Sequence, residues 1–155
     1  MRIDHYLEFH APAATSIVVA VSVFVLDEAE RLLMIRRADN DLYSLPGGPQ
    51  QVGETISAAA VRQVKAETGI DIEVTGLIGI YSDPEHVISY DTGEVRQEFA
   101  IAFRGRVLGG SPHPGTDSKE VLWVEQALLY ELTIHPAVRL RIQHGFDASP
   151  APYYS

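Results

Sequence analysis

The stretch GGPQQVGETISAAAVRQVKAETGI, residues 47–70, decides how the rest of the chain is read. A two-glycine turn follows Leu45-Pro46, and an extended loop runs on to Gly53. A helix is expected from near Thr55 to Gly69, a residue suited to the left-handed position that ends helices. Residues three and four apart share a helix face, so positions 63, 66 and 67 point the same way. Three carboxylates on such a face would repel one another unless a divalent cation neutralised them; here Glu67 alone is one. Mg²⁺ prefers hard oxygen ligands and is usually held by a few carboxylates plus substrate phosphates. The neighbouring arc, Ile56, Ala60, Val61 and Val64, is expected to bury against a sheet, and Ala58, Ala59 and Ala60 suit close packing. The plainer alternative is an amphipathic helix with a polar outer face.

The order of residues in this stretch resembles the signature of the Nudix hydrolases. Gly48 is followed after five residues by Glu54, then after seven more by Arg62, and Val64, Glu67, Gly69 and Ile70 complete the frame. Two family glutamates are replaced: Gln63 and Ala66 stand in their places. The resemblance implies an α/β chain with the Nudix fold, an α/β/α sandwich around a mixed β-sheet. It implies Mg²⁺ (or Mn²⁺) as cofactor and Glu67 as principal metal ligand and catalytic group, with the Gly48 carbonyl assisting. Arg62 is a supporting residue that pairs with a carboxylate to hold the loop on the helix. Gln63 occupies the degenerate base position, and an amide is a poor proton acceptor and a poorer metal ligand. Glu54 is a weak metal candidate, with capping of the helix start as its equal alternative. Replacement ligands or bases are sought further on, at Glu94, Glu98, Asp117 and Glu120, of which Asp117 lies on a Gly/Pro-rich loop. Glu98 falls inside a strand-like run and must face solvent, a cation or an arginine. Arg37, with Gly47 and Gly48, is the expected substrate contact, because a planar guanidinium matches a phosphate or a purine edge.

The chain has 155 residues, enough for one domain with a real core. Its net charge of −9 argues against a nucleic-acid polymer or an anionic membrane as partner but leaves room for a nucleotide held by a cation and a local basic spot. There is no cysteine, so thiolate metal sites and thiol nucleophiles are excluded. Ala11 to Leu26 is apolar, but Asp4 and Glu8 occupy what would be the positive region of a signal peptide, and the run is short for a membrane helix. It reads as a core strand in a cytoplasmic protein.

A single Nudix domain is expected over 1–155, with its core at about 16–144, an N-terminal arm at 1–14 and a C-terminal tail at 146–155. Residues 16–26 and 31–37 read as two strands pairing as a hairpin, followed by the signature helix. A long strand is expected over 70–81, interrupted at Gly76. A hairpin follows about Asp91-Thr92-Gly93, then a loop over 109–118 and a strand over 120–124. A helix is expected to begin within 125–132, and another opens at Pro136 and stops at Gly145. The six histidines lack metal-binding spacing and read as surface residues. The expected function is divalent-metal-dependent hydrolysis of a pyrophosphate bond in a nucleoside diphosphate linked to another moiety. Its alternative, favoured by Gln63 and Ala66, is a catalytically impaired protein that binds a nucleotide or nucleotide sugar. The resemblance also admits a homodimer.

Overall fold

The computed structural model describes residues 1–155. In chain order the strands are β1 (Arg2–Tyr6), β2 (Ser16–Val25), β3 (Leu32–Arg37), β4 (Tyr43–Ser44) and β5 (Gly47–Pro49); helix α1 (Ile56–Thr68) follows. Then come β6 (Ile70–Tyr81), β7 (His86–Tyr90), β8 (Val95–Gly110), β9 (Ser118–Val124), a 3₁₀ turn (Gln126–Glu131), α2 (Pro136–Asp147) and β10 (Tyr153–Tyr154). Seven strands make one mixed sheet with the path β1-β7-β8-β2-β5, on which β6 pairs with β8 and β10 with β6; a second sheet is β4-β3-β9. No helix is long and apolar enough to cross a membrane.

The core divides where the large sheet has two buried faces. Val21, Val23, Val25, Ile101 and Phe103 pack with Ala59, Ala60 and Val64 of α1. On the other side Phe24, Ala100 and Ala102 pack with Ile142 of α2 and with Leu32 and Met34 of the small sheet. The alternation follows the period-2 geometry of β2 and β8, and burial on both faces explains why β2 reads as continuously apolar. Helices on both sides of a sheet make the expected α/β/α sandwich. On α1, Ala59, Ala60 and Val64 are buried, whereas Val61 is exposed and does not join the packed arc. Thr55 caps the start of α1 by accepting the Ala58 N–H, and Gly69 ends it at φ 76°.

Several sequence expectations are corrected. β2 and β3 do not form a hairpin. Asp27 organises the turn between them by accepting the Ala29 and Arg31 amides, but only the Leu26–Leu32 bridge forms. The reason is that β2 is bonded along both edges, to β8 and to β5, and has no edge left for β3. The N-terminal arm carries an unexpected strand, since β1 pairs with β7 over five residues. The tail contributes β10 to the edge of β6, where Tyr153 stacks on Tyr81. The segment after 125 forms a 3₁₀ turn rather than an α-helix. Helix α2 continues past Gly145 to a left-handed Ala148. Gly145 lies inside the helix because a Cβ there would strike the Phe24 ring.

Gly47 fixes the joint between sheet and helix. A Cβ at this position would overlap the Val21 carbonyl oxygen and crowd the Ser22 backbone. Gly47→Ala is expected to destabilise the fold by about 2–3 kcal/mol, the cost of overpacking a site that cannot yield. Denaturant unfolding checks this, and a change within about 0.5 kcal/mol, the usual scale of an innocuous surface substitution, contradicts it.

Candidate active site

The glycine strand and α1 meet through one side chain. The Val23 amide bonds the Pro46 carbonyl and the Gln50 amide bonds the Val19 carbonyl, which sets the phase of the β2–β5 ladder. Gly48 then faces Val21 as a bonded pair, while Gly47, opposite Ser22, turns its amide and carbonyl away from β2. Glu67 accepts that free Gly47 amide on Oε1 at 2.7 Å. The same phase corrects the Gly48 expectation. Its carbonyl is directed into the ladder, and the outward carbonyl is that of Gly47.

Glu67 is only 5 % exposed. Burial pushes its carboxyl up to about 7; Asp117 and Asp39 push the same way, while the Gly47 amide and the Arg37 guanidinium oppose the rise. Asp117 is brought in by the Gly/Pro-rich loop, which docks on the end of α1. The His113 and Gly115 amides bond the Thr68 and Glu67 carbonyls, and Ser118 Oγ donates to the Glu67 carbonyl at 2.7 Å. This loop satisfies carbonyls that a helix end leaves without partners.

The other expected site residues fall into two groups. Arg37, Gly47, Gly48, Gln63, Glu67 and Asp117 all line one cleft of about 430 Å³. Arg37 is held by Asp39 through Nε at 2.8 Å and Nη2 at 2.6 Å, which leaves its remaining donors toward the cleft. Gln63 packs on Gly48, and its amide points Nε2 at the Pro49 carbonyl at 3.4 Å. A carboxylate there would set oxygen against oxygen, so Gln63 fits this loop as a brace. Glu54 and Glu120 are not part of the cleft lining. Glu54 is clamped by Arg62 (Nη2 to Oε1 2.6 Å) and by the Gln51 amide, which hold its carboxyl down to about 2. Arg62 also donates to the Pro49 carbonyl at 3.0 Å, so it anchors the loop as expected. Glu120 is taken by Arg36 and by the Tyr43 hydroxyl. Neither carboxylate is available as a metal ligand. Of the remaining two alternatives, Glu94 pairs with Arg96, and Glu98 lines the cleft.

The far end of the cleft is not legible from spacing. There Arg2 grips Asp4 with two hydrogen bonds of 3.0 Å, and Asp4 also meets His86 Nε2 at 2.9 Å. The His86 ring lies parallel to His135, at 6° and 4.7 Å. His86 is 4 % exposed, which corrects the reading of all six histidines as surface residues. Asp4, His86 and His135 bring one ligand atom each within 4.8 Å of the others. Their bonding does not suit a cation. His135 Nδ1 accepts the Ala137 amide at 3.1 Å, so its proton sits on Nε2, and Asp4 already holds Arg2 with both oxygens. The Glu67 end has the opposite chemistry: an all-oxygen set of Glu67, Asp117 and the Gly47 carbonyl, with a buried carboxylate that resists ionisation until a cation compensates it. That donor set fits Mg²⁺ or Mn²⁺.

A family model for the NUDIX domain matches residues 17–142. The chain is 37 % identical over 106 residues to a MutT-like protein of Streptomyces ambofaciens, covering 68 % of this chain and 62 % of that one. It is 36 % identical over 104 residues to an ADP-ribose pyrophosphatase of Methanocaldococcus jannaschii, covering 62 % and 55 %. The match thus spans less than two thirds of these relatives. Among solved structures, a NUDIX hydrolase from Nitrosomonas europaea superposes with a TM-score of 0.72 at 20 % identity, covering 88 % and 93 % of the two chains. That likeness shows the shared fold.

The raised carboxyl gives a signed expectation for stability. Its folded value, about 7, lies above the ordinary 4.5, so its contribution is complete below about 4.5 and is lost as pH rises through about 7. Without divalent cations, Glu67→Gln is expected to stabilise the protein at pH 8 by about 2–3 kcal/mol, since each tenfold tightening of the proton's hold is worth about 1.4 kcal/mol. At pH 4 the difference disappears. Thermal unfolding at the two pH values checks this, and equal melting points of variant and parent at pH 8 contradict it.

Proposed function

The chain belongs to the Nudix family, and from that premise we propose that it hydrolyses a pyrophosphate bond in a nucleoside diphosphate linked to another group, with Mg²⁺ or Mn²⁺ as cofactor. The observation that carries the reading is Glu67. It is a buried carboxylate fixed by the Gly47 amide, in a cleft that also presents Arg37 and Asp117. Glu67, Asp117 and the Gly47 carbonyl would hold the cation. Such a cation would neutralise phosphate charge and ease the loss of a proton from the attacking water.

The chain's own residues supply the remainder. Arg37 keeps its guanidinium in place through Asp39 and offers its free N–H groups to a phosphate oxygen, the charge-assisted contact that planar arginine makes well. Arg62 and Gln63 both bear on the Pro49 carbonyl and hold the glycine strand against α1, which fixes the Gly47 groups relative to Glu67. Proton uptake from water does not fall to Gln63, whose amide lacks a usable basic site. The ADP-ribose pyrophosphatase relative supports a nucleoside diphosphate sugar as the first substrate to try.

The second reading, binding without efficient turnover, is favoured by Gln63 and Ala66. The two separate in one assay. Purified protein with Mg²⁺ is given nucleoside diphosphate sugars, dinucleotides and nucleoside triphosphates, and released phosphate products are measured. The hydrolase reading expects metal-dependent turnover that chelator abolishes. Glu67→Gln should lower kcat by about 100-fold or more, and Arg37→Ala should act chiefly on KM. Turnover absent from the parent but present in a Gln63→Glu/Ala66→Glu variant establishes the binding reading instead.

A further inference from the structure

Helix α2 delivers Arg141 into the cleft lining although the phosphate chemistry gives it no task. Arg141 is 7 % exposed, and its Nε has no hydrogen-bond partner. Its guanidinium lies over the Tyr81 ring at 5.2 Å, and its Nη2 comes no nearer than 3.8 Å to Glu98 Oε1. That distance is an ion pair without a hydrogen bond. A buried guanidinium with donors left over is costly, and the donors call for an acceptor that the protein does not provide. Glu98, on β8, lines the same cleft and leaves acceptor oxygens beside those donors.

The pair constrains what can satisfy it. A second phosphate or a carboxylate would meet Arg141 but would be repelled by Glu98. A cation would meet Glu98 but would be repelled by Arg141. A neutral group with a carbonyl next to an N–H meets both. The surroundings suit a flat ring, since Val18, Ala20 and Ala100 make an apolar floor on the cleft face of the sheet. The site is also at the right reach. Glu98 pairs with Val18, and Pro49 and Gly48 pair with Ala20 and Val21 on the opposite edge of β2. Strand spacing and rise put Glu98 about 12–14 Å from the glycine strand, Cα to Cα, which a nucleoside and the Glu98 side chain cross together.

We propose that Glu98 and Arg141 are the base-reading end of the cleft, and that they select a nucleobase with a lactam edge (guanine, hypoxanthine or uracil) over adenine. This rests on the reading of the glycine end as the diphosphate site. Arg141 donates to the exocyclic oxygen, whose two lone pairs accept more than one of its donors. Glu98 accepts the ring N–H and, in guanine, the amino group as well. Adenine offers a ring nitrogen with a single lone pair in place of the oxygen, so surplus Arg141 donors stay unpaired.

The test is equilibrium binding of GDP, IDP, UDP, ADP and CDP with Mg²⁺, by calorimetry, alongside hydrolysis of the corresponding nucleoside diphosphate sugars. The three lactam bases are expected to bind about tenfold or more tightly than ADP, the usual worth of one good two-point contact. Glu98→Gln should compress or reverse the preference toward ADP, because an amide presents one acceptor and one donor. Near-UV circular dichroism shows whether that variant keeps its packing, and Arg141→Lys serves as the second variant if it does not. Equal binding of all five, a preference for ADP in the parent, or a preference untouched in a folded variant overturns the proposal. Lactam-selective binding without cleavage upholds it and removes the hydrolase reading. Cleavage without base selection does the reverse, and no binding of any of the five removes both.

Discussion

The hydrogen bond from the Gly47 amide to the Glu67 carboxylate is the contact on which the site depends. It ties the last full turn of α1 to the strand that edges the large sheet. It exists because the β2–β5 ladder has a phase that leaves the Gly47 amide unused by β2. Moving the ladder by one residue would present Gly48 instead and leave Glu67 buried without a donor. Gly47 has to be glycine because β2 approaches too closely for a side chain. Arg62, Gln63 and Glu54 then stiffen the loop around that contact rather than joining the chemistry.

Burial decides the electrostatics of the cleft. Glu67 is removed from water and faces Asp117 and Asp39, so its carboxyl holds a proton unusually well, and a cation between these oxygens relieves both burdens at once. At the other end the charges are settled within the protein. Arg2 and His86 hold the Asp4 carboxyl far below the usual carboxylate range, although burial alone would raise it. His135 is pushed down to about 4 by burial and by the neighbouring His86. One wall of the cleft therefore holds a carboxylate whose ionisation burial opposes, while the other is a completed polar network with Arg141 and Glu98 short of hydrogen-bond partners beside it.

The signature stretch is readable because its information is local. Helix limits, the Gly69 stop and the Arg62 clamp depend on spacing within about twenty residues. The failures share the opposite property. Whether β2 meets β3 or β5 depends on which strand claims an edge of β2, and that is settled by β8, some eighty residues away in the sequence. Gly145 looks like a helix stop but is small because Phe24 lies against it, a contact invisible to periodicity. Asp4, His86 and His135 come from three distant elements and have no shared spacing, so nothing marks them as a cluster. Glu98 stands out by a physical rule, that a carboxylate in a strand needs a partner, and Arg141 is that partner. Glu120 looks equally promising in the sequence, yet Arg36 and Tyr43 claim it, because the β3–β9 register sets Glu120 opposite Arg36.

The central claim is that a buried carboxylate, fixed by one backbone amide, is kept for a divalent cation. Carbon-13 NMR of the Glu67 carboxyl, titrated with and without Mg²⁺, measures this at the atom concerned. The account predicts titration near 7 in the absence of the ion and a fall to or below the ordinary carboxylate range when Mg²⁺ is present. A carboxyl that titrates at its ordinary value and ignores Mg²⁺ would contradict it.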